Sequence, residues 1–338
     1  MWLYIPCFDF DDELYTSYEI QYSHFVQFVY AFLVSRNVQP IKKFYLKCVS
    51  SYTSNQNIKV WVNAAIHREV EHLEIKSLPN YILLPSSTIF TCKTIVVMKL
   101  NSVKLDAISS ACLPSLKVLH LHSVCFSRYS CVHNLLSGCT LLENLVISYI
   151  KSTEKLSVIP YDVFTKDLPK LISADVRSCS KWDLLTAFSK AKFLHCKATL
   201  AYVSRKRHIP MPIFHNLVHF ELHCRFFYRW KFLAEILRNS PNLQILVVKK
   251  RNYKAITNEP FVADEFFSPP LLRKCYVGGF EGTENEMQFA SFVMKNASIL
   301  DTITISYYNS SNIDEKFQVL QILSSFPRLS ATCQLCFE

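Results

Sequence analysis

Glycine is nearly absent from this sequence, with only 4 Gly among 338 residues. An average protein has about 7% Gly. Loops that cradle phosphate groups use Gly because its missing side chain lets the backbone approach the ligand. Neither a G-x-G-x-x-G run nor a Walker-type run occurs in the chain. This scarcity argues against a nucleotide enzyme and predicts that the protein binds no cofactor.

Long apolar runs and clustered cysteines are also missing. No apolar run approaches the roughly 18 residues of a membrane-spanning helix. The opening "MWLYIPCFDFDD" lacks the basic segment of a secretory signal. The 13 Cys are odd in number and scattered through apolar segments, whereas a disulfide framework clusters them in a short chain. These absences predict a protein of the cytoplasm or nucleus with no membrane partner.

The composition is that of a folded protein with a basic balance. Half of the residues are hydrophobic and the net charge is +10, so disorder is not expected. Two basic runs, "RKRH" at 205–208 and "KKR" at 249–251, lie far apart, and no zinc-finger or RNA-binding motif accompanies them. The runs favour solvated basic loops, and nucleic acid is not predicted as a partner.

A recurring L-x-x-L-x-L pattern organises the whole chain. Its starts are separated by about 20 to 29 residues, the spacing of leucine-rich repeats. The weakest match begins at Ala191, and the unit at Leu171 has Ala174 at its middle position. The repeats begin at Ile41, Val70, Ile95, Leu116, Leu142, Leu171, Ala191, Leu217, Leu243, Leu272 and Leu300.

Each repeat is one strand with a return segment, so repeats must stack to bury a continuous core. The return segments have helical periodicity: one face is predicted to carry Phe25, Phe28, Val29 and Phe32, and another Phe232, Ile236 and Leu237. The predicted fold is an α/β leucine-rich-repeat solenoid, an open horseshoe with parallel strands on its concave face. The alternative is an ordinary α/β domain, but its strands would be apolar on both faces, and these strands alternate.

Several stretches resemble plant F-box proteins that have leucine-rich repeats and a C-terminal FBD domain. They are "FVQFVYAFLVSRNVQPIKKFYLKC", "WVNAAIHREVEHLEI", "CLPSLKVLHLHSVCF" and "LLSGCTLLENLVI", together with the tail "FEGTENEMQFASFVMKNASILDTITIS" and "PRLSATCQLCF". In that family an F-box precedes this region, whereas Met1 here stands where the F-box would be ending. The resemblance implies recognition of a protein substrate. It implies a Skp-family adaptor as partner only if an F-box lies upstream of the sequence.

The repeat register predicts which side chains line the concave face. Because successive strand residues point to opposite sides, inward first, fourth and sixth positions leave the third, fifth and seventh on the concave face. This face is polar and mostly basic, which favours an acidic protein partner and binding that weakens with salt. The predicted protein-binding residues are Lys99, His120, His122, Arg177, His195, His219, Glu221 and His223.

The same register argues against a metal or catalytic site. On a strand, His219 and His223 lie roughly 13 Å apart at about 3.3 Å per residue. The predicted neighbours of His120 and His122 are Lys99, Asn101, Val146 and Ser148, which are poor zinc ligands. Cys333 and Cys336 lie on an apparent final strand on opposite faces, away from any helix N-terminus that would lower a thiol pKa. The prediction is therefore a non-enzyme without bound metal.

The predicted organisation has three parts: an N-terminal segment and helix at 1–37, leucine-rich repeats at 38–267, and an FBD-like α/β cap at 268–338. In the tail, Met287, Ala290, Phe292, Val293 and Met294 are expected near one helical stripe, and Phe317, Leu320 and Phe326 near another. The predicted function is a non-catalytic scaffold similar to the substrate-binding part of an F-box ubiquitin-ligase receptor. The alternatives are a stand-alone binding protein with no ubiquitin link and an enzyme of unknown class.

Overall fold

The computed structural model describes residues 7–35, 40–154, 167–177, 182–198, 211–224, 230–250, 269–307 and 313–338. The chain divides into two compact units, Met1–Leu171 and Ile172–Glu338. The basic run at 205–208 lies outside the described residues.

The first unit alternates strands and helices. Its elements are β1 (Cys7–Asp11), α1 (Glu19–Ser35), β2 (Lys43–Cys48), α2 (Asn55–His67), β3 (His72–Ser77), β4 (Ile82–Leu84), α3 (Ser86–Ile89), β5 (Val97–Asn101), β6 (Val103–Leu105), β7 (Val118–His122), β8 (Cys125–Phe126), α4 (Ser130–Ser137), β9 (Asn144–Ser148) and β10 (Lys151–Ser152). Strands β1, β2, β3, β5, β7 and β9 form a parallel sheet in that order.

The second unit continues the alternation with its own parallel sheet. Its elements are β11 (Ser173–Arg177), a 3₁₀ segment (Trp182–Phe188), β12 (Phe193–Ala198), β13 (His219–Cys224), α5 (Trp230–Arg238), β14 (Ile245–Lys250), β15 (Lys274–Phe280), α6 (Glu284–Asn296), β16 (Thr302–Tyr307), α7 (Ile313–Ser325) and β17 (Gln334–Phe337). Strands β11 to β17 are adjacent in chain order, and every pair is parallel.

The predicted repeat register is confirmed. In every repeat the side chains at the first, fourth and sixth positions are buried, and none is more than 7% exposed. This holds even for the repeat at Ala191, where Leu194 and Cys196 fill the inner positions, and for Ala174. The α/β class with parallel strands is therefore confirmed.

A second, short sheet follows the strands of the first unit. The residue after β5, β7 and β9 has a left-handed backbone, with φ of 56° at Ser102, 51° at Ser123 and 56° at Tyr149. This conformation is uncommon for residues with a side chain. It occurs at the same point of these three repeats, directly after the strand. The chain then enters a parallel sheet of order β10-β8-β6-β4.

The apolar pairs after these strands lie in the second sheet. The side chains of Val103, Leu105, Val124 and Phe126 are fully buried. The return of each coil is thus stabilised by apolar burial where many leucine-rich repeats use an Asn. Cys125 lies in β8 between two buried positions.

The face of α1 that packs inward differs in part from the prediction. Phe25 and Val29 are buried as expected, but Phe28 is 57% exposed and Leu33 is buried instead. The inward residues follow a spacing of three or four from Tyr22 onward, which places Phe28 on the flank. Phe32 is half-buried, with its ring edge-on to Phe8 at 4.9 Å.

The helices of the second unit show a confirmed face and a corrected one. Phe232, Ile236 and Leu237 are buried on α5 as predicted. On α7, Phe317 is 60% exposed, and Leu323 is buried instead. Val319, one turn before Leu323, packs against Gly282. A Cβ added to Gly282 would be only 2.7 Å from the Val319 side chain. The buried face of α7 therefore includes Leu323 and not Phe317, so the prediction for this helix was wrong at Phe317.

The two lysines of the basic run at 249–251 do not lie in the solvated loop that the charges suggest, and Arg251 is outside the described residues. Lys249 and Lys250 are both in β14, and Lys250 is buried. The Lys250 ammonium lies 2.9 Å from a carboxylate oxygen of Glu286 and 3.2 Å from one of Glu281. These two carboxylates compensate the charge and allow a lysine to occupy an inward position.

Asp12 fastens the first strand of the chain to the loop that follows β2. It is fully buried, and its carboxylate accepts hydrogen bonds from the backbone N–H groups of Val49, at 2.5 Å, and Ser50, at 3.3 Å. The Thr53 hydroxyl donates a third at 3.3 Å. Burial raises the pKa of Asp12 above its ordinary value. The carboxylate is thus desolvated, and these donors replace the water that it lost.

Replacing Asp12 with alanine should lower the free energy of unfolding by about 2 kcal/mol, since buried donors are left without an acceptor. Urea denaturation followed by circular dichroism measures the loss. Glu13→Ala removes a neighbouring exposed carboxylate and is the matched control, with a change of at most about 0.5 kcal/mol expected. Equal effects of the two substitutions would contradict the role given to Asp12.

Candidate functional site

In each unit, one side of the parallel sheet carries the third, fifth and seventh residues of every repeat. We call this side the open face. Neighbouring strands pair in register, so residues at the same repeat position stand side by side about 4.8 Å apart. The side chains are mostly half-exposed. All eight predicted protein-binding residues lie on the open face of one unit or the other.

On the first unit, Lys99 stands between Glu74 and His120 in the row of fifth positions. Its ammonium is 3.3 Å from a Glu74 carboxylate oxygen. Both side chains are more than two-fifths exposed, so this ion pair contributes little to stability. The pair can therefore exchange for contacts with a partner at small cost.

His122 is held in the neighbouring row of seventh positions. Its Nδ1 is 2.7 Å from the Ser148 hydroxyl, and its ring lies 5.4 Å from that of Tyr149, nearly edge-on. The predicted neighbours of the two histidines are confirmed, since β7 pairs with Lys99 and Asn101 on one side and with Val146 and Ser148 on the other. These residues orient His122 and offer no further imidazole or thiolate.

At the N-terminal edge of the first unit, Lys47 contacts the carboxylates of Asp11 and Glu13. These contacts, first with Glu13 and then with Asp11, raise the pKa of the Lys47 ammonium above its ordinary value. The face is therefore less basic than a count of its lysines suggests, because acidic neighbours offset part of the charge.

On the second unit, Asp175 joins Arg177 to His195. A carboxylate oxygen of Asp175 is 2.6 Å from the Arg177 guanidinium, and the other is 3.2 Å from His195 Nδ1. Burial alone would raise the pKa of Asp175, but hydrogen bonds from His195 and Arg177 lower it to about 2. Asp175 is thus a carboxylate at neutral pH, and it fixes the orientation of the His195 ring.

Glu221 is the centre of a second cluster beside the first. Its Oε1 is 2.6 Å from His223 Nε2 and 3.0 Å from the Lys249 ammonium. Burial would raise the pKa of Glu221, but hydrogen bonds from His223 and Lys249 lower it to about 2. Burial lowers the pKa of both His219 and His223, which favours their neutral imidazole forms.

The two clusters meet at the rings of His195 and His223, whose centroids are 4.7 Å apart. One ligand atom from each of His195, Glu221 and His223 can be chosen so that all lie within 4.8 Å of one another. The prediction of no metal rested on the distance along one strand for His219 and His223, and on cross-strand neighbours only for His120 and His122. The approach of His195 to Glu221 and His223 crosses from β12 to β13, which a distance along one strand does not reveal.

The open face also carries apolar side chains. Phe193 is two-fifths exposed, and its ring lies 6.4 Å from that of His219. Lys249 lies over the ring of Tyr276, 5.5 Å from its centroid. The predicted protein-binding residues do not include Lys249 or Tyr276. Both occupy fifth or seventh positions, so the repeat register was the signal that could have found them. The same register predicts Asp175 on the open face, although it is not among the eight.

All the described cysteines are free thiols. Burial raises the pKa of Cys139 and of Cys275 to about 12, so these thiols are protonated at neutral pH. Cys333 precedes β17 rather than lying in it, and burial raises its pKa as well. Cys336 is in β17 beside Thr304. None of these three thiols with a raised pKa is poised as a nucleophile.

The parallel strands, the repeating burial pattern and the open face define a leucine-rich-repeat protein. A model of the LRR repeats of the FBD-associated F-box protein At5g56370 matches residues 58–160, and a model of the FBD matches residues 272–305. None of the described helices is both long enough and apolar enough to cross a membrane.

Full-length relatives from Arabidopsis thaliana extend the match to the whole chain. The probable FBD-associated F-box protein At1g32375 is 28% identical over 100% of this chain and 92% of its own length. The F-box/FBD/LRR-repeat protein At4g26340 is 27% identical over 100% and 91%, and At1g78750 is 26% identical over 99% and 88%. The resemblance to plant F-box proteins with leucine-rich repeats and an FBD is thereby confirmed.

Proposed function

We propose that this chain is a non-catalytic scaffold that recognises a protein through the open faces of its repeats. The observation that carries the proposal is the row of half-exposed side chains held side by side on in-register strands. Such a surface binds without large rearrangement, so little entropy is lost on complex formation. The paired charges Lys99–Glu74 and Lys249–Glu221 give the surface complementarity to a mixed or acidic partner segment.

The proposal includes the finer features of the fold and the location. The repeats form an open solenoid whose concave side is the open face, and residues 268–338 form an FBD-like cap at its end. The N-terminal segment ends at residue 37, and the repeats end at residue 267, after which the cap begins. The protein acts in the cytoplasm or nucleus, and neither a membrane nor nucleic acid is its partner.

The relatives carry F-box, FBD and LRR in their names, and this favours the substrate-binding role of a ubiquitin-ligase receptor for the chain. The adaptor is expected as a partner only if an in-frame F-box lies upstream of Met1. The test is therefore to sequence the transcript upstream and to run the chain with any such F-box on size-exclusion chromatography with a purified Skp-family adaptor. A stable complex supports the receptor role. Binding of a protein partner without any adaptor complex would support a stand-alone binding protein instead.

Replacing Lys99, His120 and His122 together with alanine should weaken capture of the partner while lowering the free energy of unfolding by at most about 1 kcal/mol. These side chains are partly exposed, so their loss creates no cavity. Affinity purification from plant cells, followed by titration of the purified partner, measures binding. A double variant on the outer side of α2, Lys59→Ala with His67→Ala, is the matched control.

Partner affinity should fall at least about tenfold in the triple variant and stay unchanged in the control, and it should weaken as salt is raised. A large loss of stability would mean that the three side chains support the fold instead. Unchanged affinity in both this variant and His219→Ala on the second unit would overturn the proposal that the open faces bind the partner.

A further inference from the structure

We propose that the open face of the second unit holds a divalent transition-metal site, best suited to zinc, formed by His195, Glu221 and His223. This site goes beyond recognition of a protein partner. It would add a metal-ligand position to a surface otherwise made of hydrogen bonds and ion pairs.

The register of two adjacent strands brings the three ligands together. His195 on β12 stands directly beside Glu221 on β13, and His223 is two residues further along β13 on the same face. Their ligand atoms lie within 4.8 Å of one another. In tetrahedral zinc coordination, ligand atoms stand about 3.4 Å apart, given metal–ligand distances near 2.1 Å. Side-chain rotations on the paired strands would give this spacing. Metal binding would replace the 2.6 Å hydrogen bond between His223 Nε2 and Glu221 Oε1, and the proton of that bond is released to solvent.

Asp175 prepares His195 for this role. Its carboxylate lies 3.2 Å from Nδ1 of His195, so the ring donates its Nδ1 proton there and keeps a lone pair on Nε2. Nε2 is buried and has no hydrogen-bond partner among the described residues. A buried polar atom without a partner calls for an explanation. A carboxylate on one nitrogen and a metal on the other is the usual arrangement of zinc-binding histidines.

The donor set and its surroundings determine which metal fits. Two imidazoles and one carboxylate suit zinc and its neighbours, whereas magnesium and calcium prefer oxygen ligands. Three protein ligands leave a fourth position, which water or a carboxylate, imidazole or thiolate of a bound protein would fill. The Lys249 ammonium, 3.0 Å from Glu221 Oε1, must move away, and Lys249 is two-fifths exposed, so it is free to turn toward solvent.

Titration of the metal-free, full-length chain with Zn²⁺ against a chromophoric chelator tests the site, and Co²⁺ absorption reports the ligands. One equivalent should bind without a sulfur-to-cobalt charge-transfer band. His195→Ala, Glu221→Gln and His223→Ala should each weaken binding at least tenfold. Asp175→Asn should weaken it by about tenfold, the usual effect of losing a carboxylate partner behind a histidine ligand. His215→Ala, an exposed histidine just before β13 that lies outside the open face, is the control and should change affinity less than twofold.

Lys249→Gln separates this site from adventitious binding at surface histidines. Removing the competing ammonium should tighten Zn²⁺ binding by threefold or more, whereas scattered histidine sites would not respond. Each variant is first shown to melt near the wild-type temperature. His195→Gln or His223→Gln replaces the alanine variant at the same residue if that one does not fold. Undiminished Zn²⁺ binding in both the His195 and His223 variants, or binding through thiolates that persists in them, would overturn the proposal.

Discussion

Glu286→Ala should destabilise the second unit by about 3–5 kcal/mol, the usual result of removing one partner from a buried ion pair. The Glu286 side chain is 1% exposed and that of Lys250 is 4% exposed. Without Glu286, the Lys250 ammonium would stay buried after losing the carboxylate oxygen 2.9 Å away, with the Glu281 carboxylate still at 3.2 Å. Much of the loss comes from this reduced compensation of a buried charge.

The same substitution removes a helix cap. Glu286 accepts hydrogen bonds from the backbone N–H groups of Glu281, at 2.9 Å, and Thr283, at 3.0 Å, and so closes a capping box at the start of α6. A cap of this kind contributes about 1 kcal/mol. Gly279 fits the same corner, because a Cβ there would be 2.4 Å from the Lys250 carbonyl oxygen.

Urea denaturation at neutral pH measures the effect, and Glu284→Ala is the matched control. Glu284 is an exposed carboxylate in the same first turn, and its replacement should cost at most about 0.5 kcal/mol. The double variant Lys250→Met with Glu286→Leu should recover most of the loss, since apolar residues of similar size replace buried pairs well. Equal losses for Glu286→Ala and Glu284→Ala would contradict a structural role for the pair.

The inner half of each repeat was predictable because burial alone determines it. The spacing of Leu116, Leu119 and Leu121 recurs along the chain because one side of each strand must be buried away from water. A weak unit such as Ala191–Cys196 could be recognised because the repeats on both sides of it are clear. The open-face residues were predictable for the same reason, as the complement of the buried set.

The contacts between repeats could not be found by the same reasoning. The pairing of Glu221 with Lys249, and of His195 with Asp175, depends on which strand lies next to which and on side-chain rotamers. The second sheet depends on a left-handed backbone at Ser102, Ser123 and Tyr149. None of the three is a glycine, so the sequence gives no signal of this conformation.

Lys250 shows the converse failure of the charge pattern. A run of basic residues predicts a solvated loop, but Glu286, distant in sequence, neutralises Lys250 inside the fold. The sequence alone contains both residues but not the proximity that makes a buried lysine tolerable.

Deletion of residues 313–338 should yield insoluble protein, because it uncovers the edge of the sheet in the second unit. Strand β17 pairs in parallel with β16, with Ile303 beside Leu335 and Ile305 beside Phe337. Removing β17 leaves the backbone N–H and C=O groups on one side of β16 without partners. An exposed edge strand with alternating apolar residues, such as β16, can pair with strands of other chains and so cause aggregation.

The deleted segment is attached by more than the strand. The backbone N–H of Leu329 donates to the Met294 carbonyl at 2.9 Å, and the buried Ser330 hydroxyl donates to the Leu300 carbonyl at 2.8 Å. Leu323 is fully buried. Loss of these contacts exposes the end of α6 together with the edge strand, as removal of a terminal cap does in repeat proteins.

Two substitutions test whether the segment covers the end of the sheet through its buried residues or only adds apolar surface. Phe317→Ser removes an exposed apolar side chain from α7 and should leave the protein soluble and equally stable. Leu323→Asp puts a carboxylate at a fully buried position six residues later and should reproduce much of the deletion's effect, because taking a charge out of water is costly. Solubility after expression and the cooperativity of thermal melting measure both. A truncation at residue 312 that stays soluble and melts in one sharp transition would show that β16 is a stable end of the sheet. Residues 313–338 would then be an appendage rather than part of a cap.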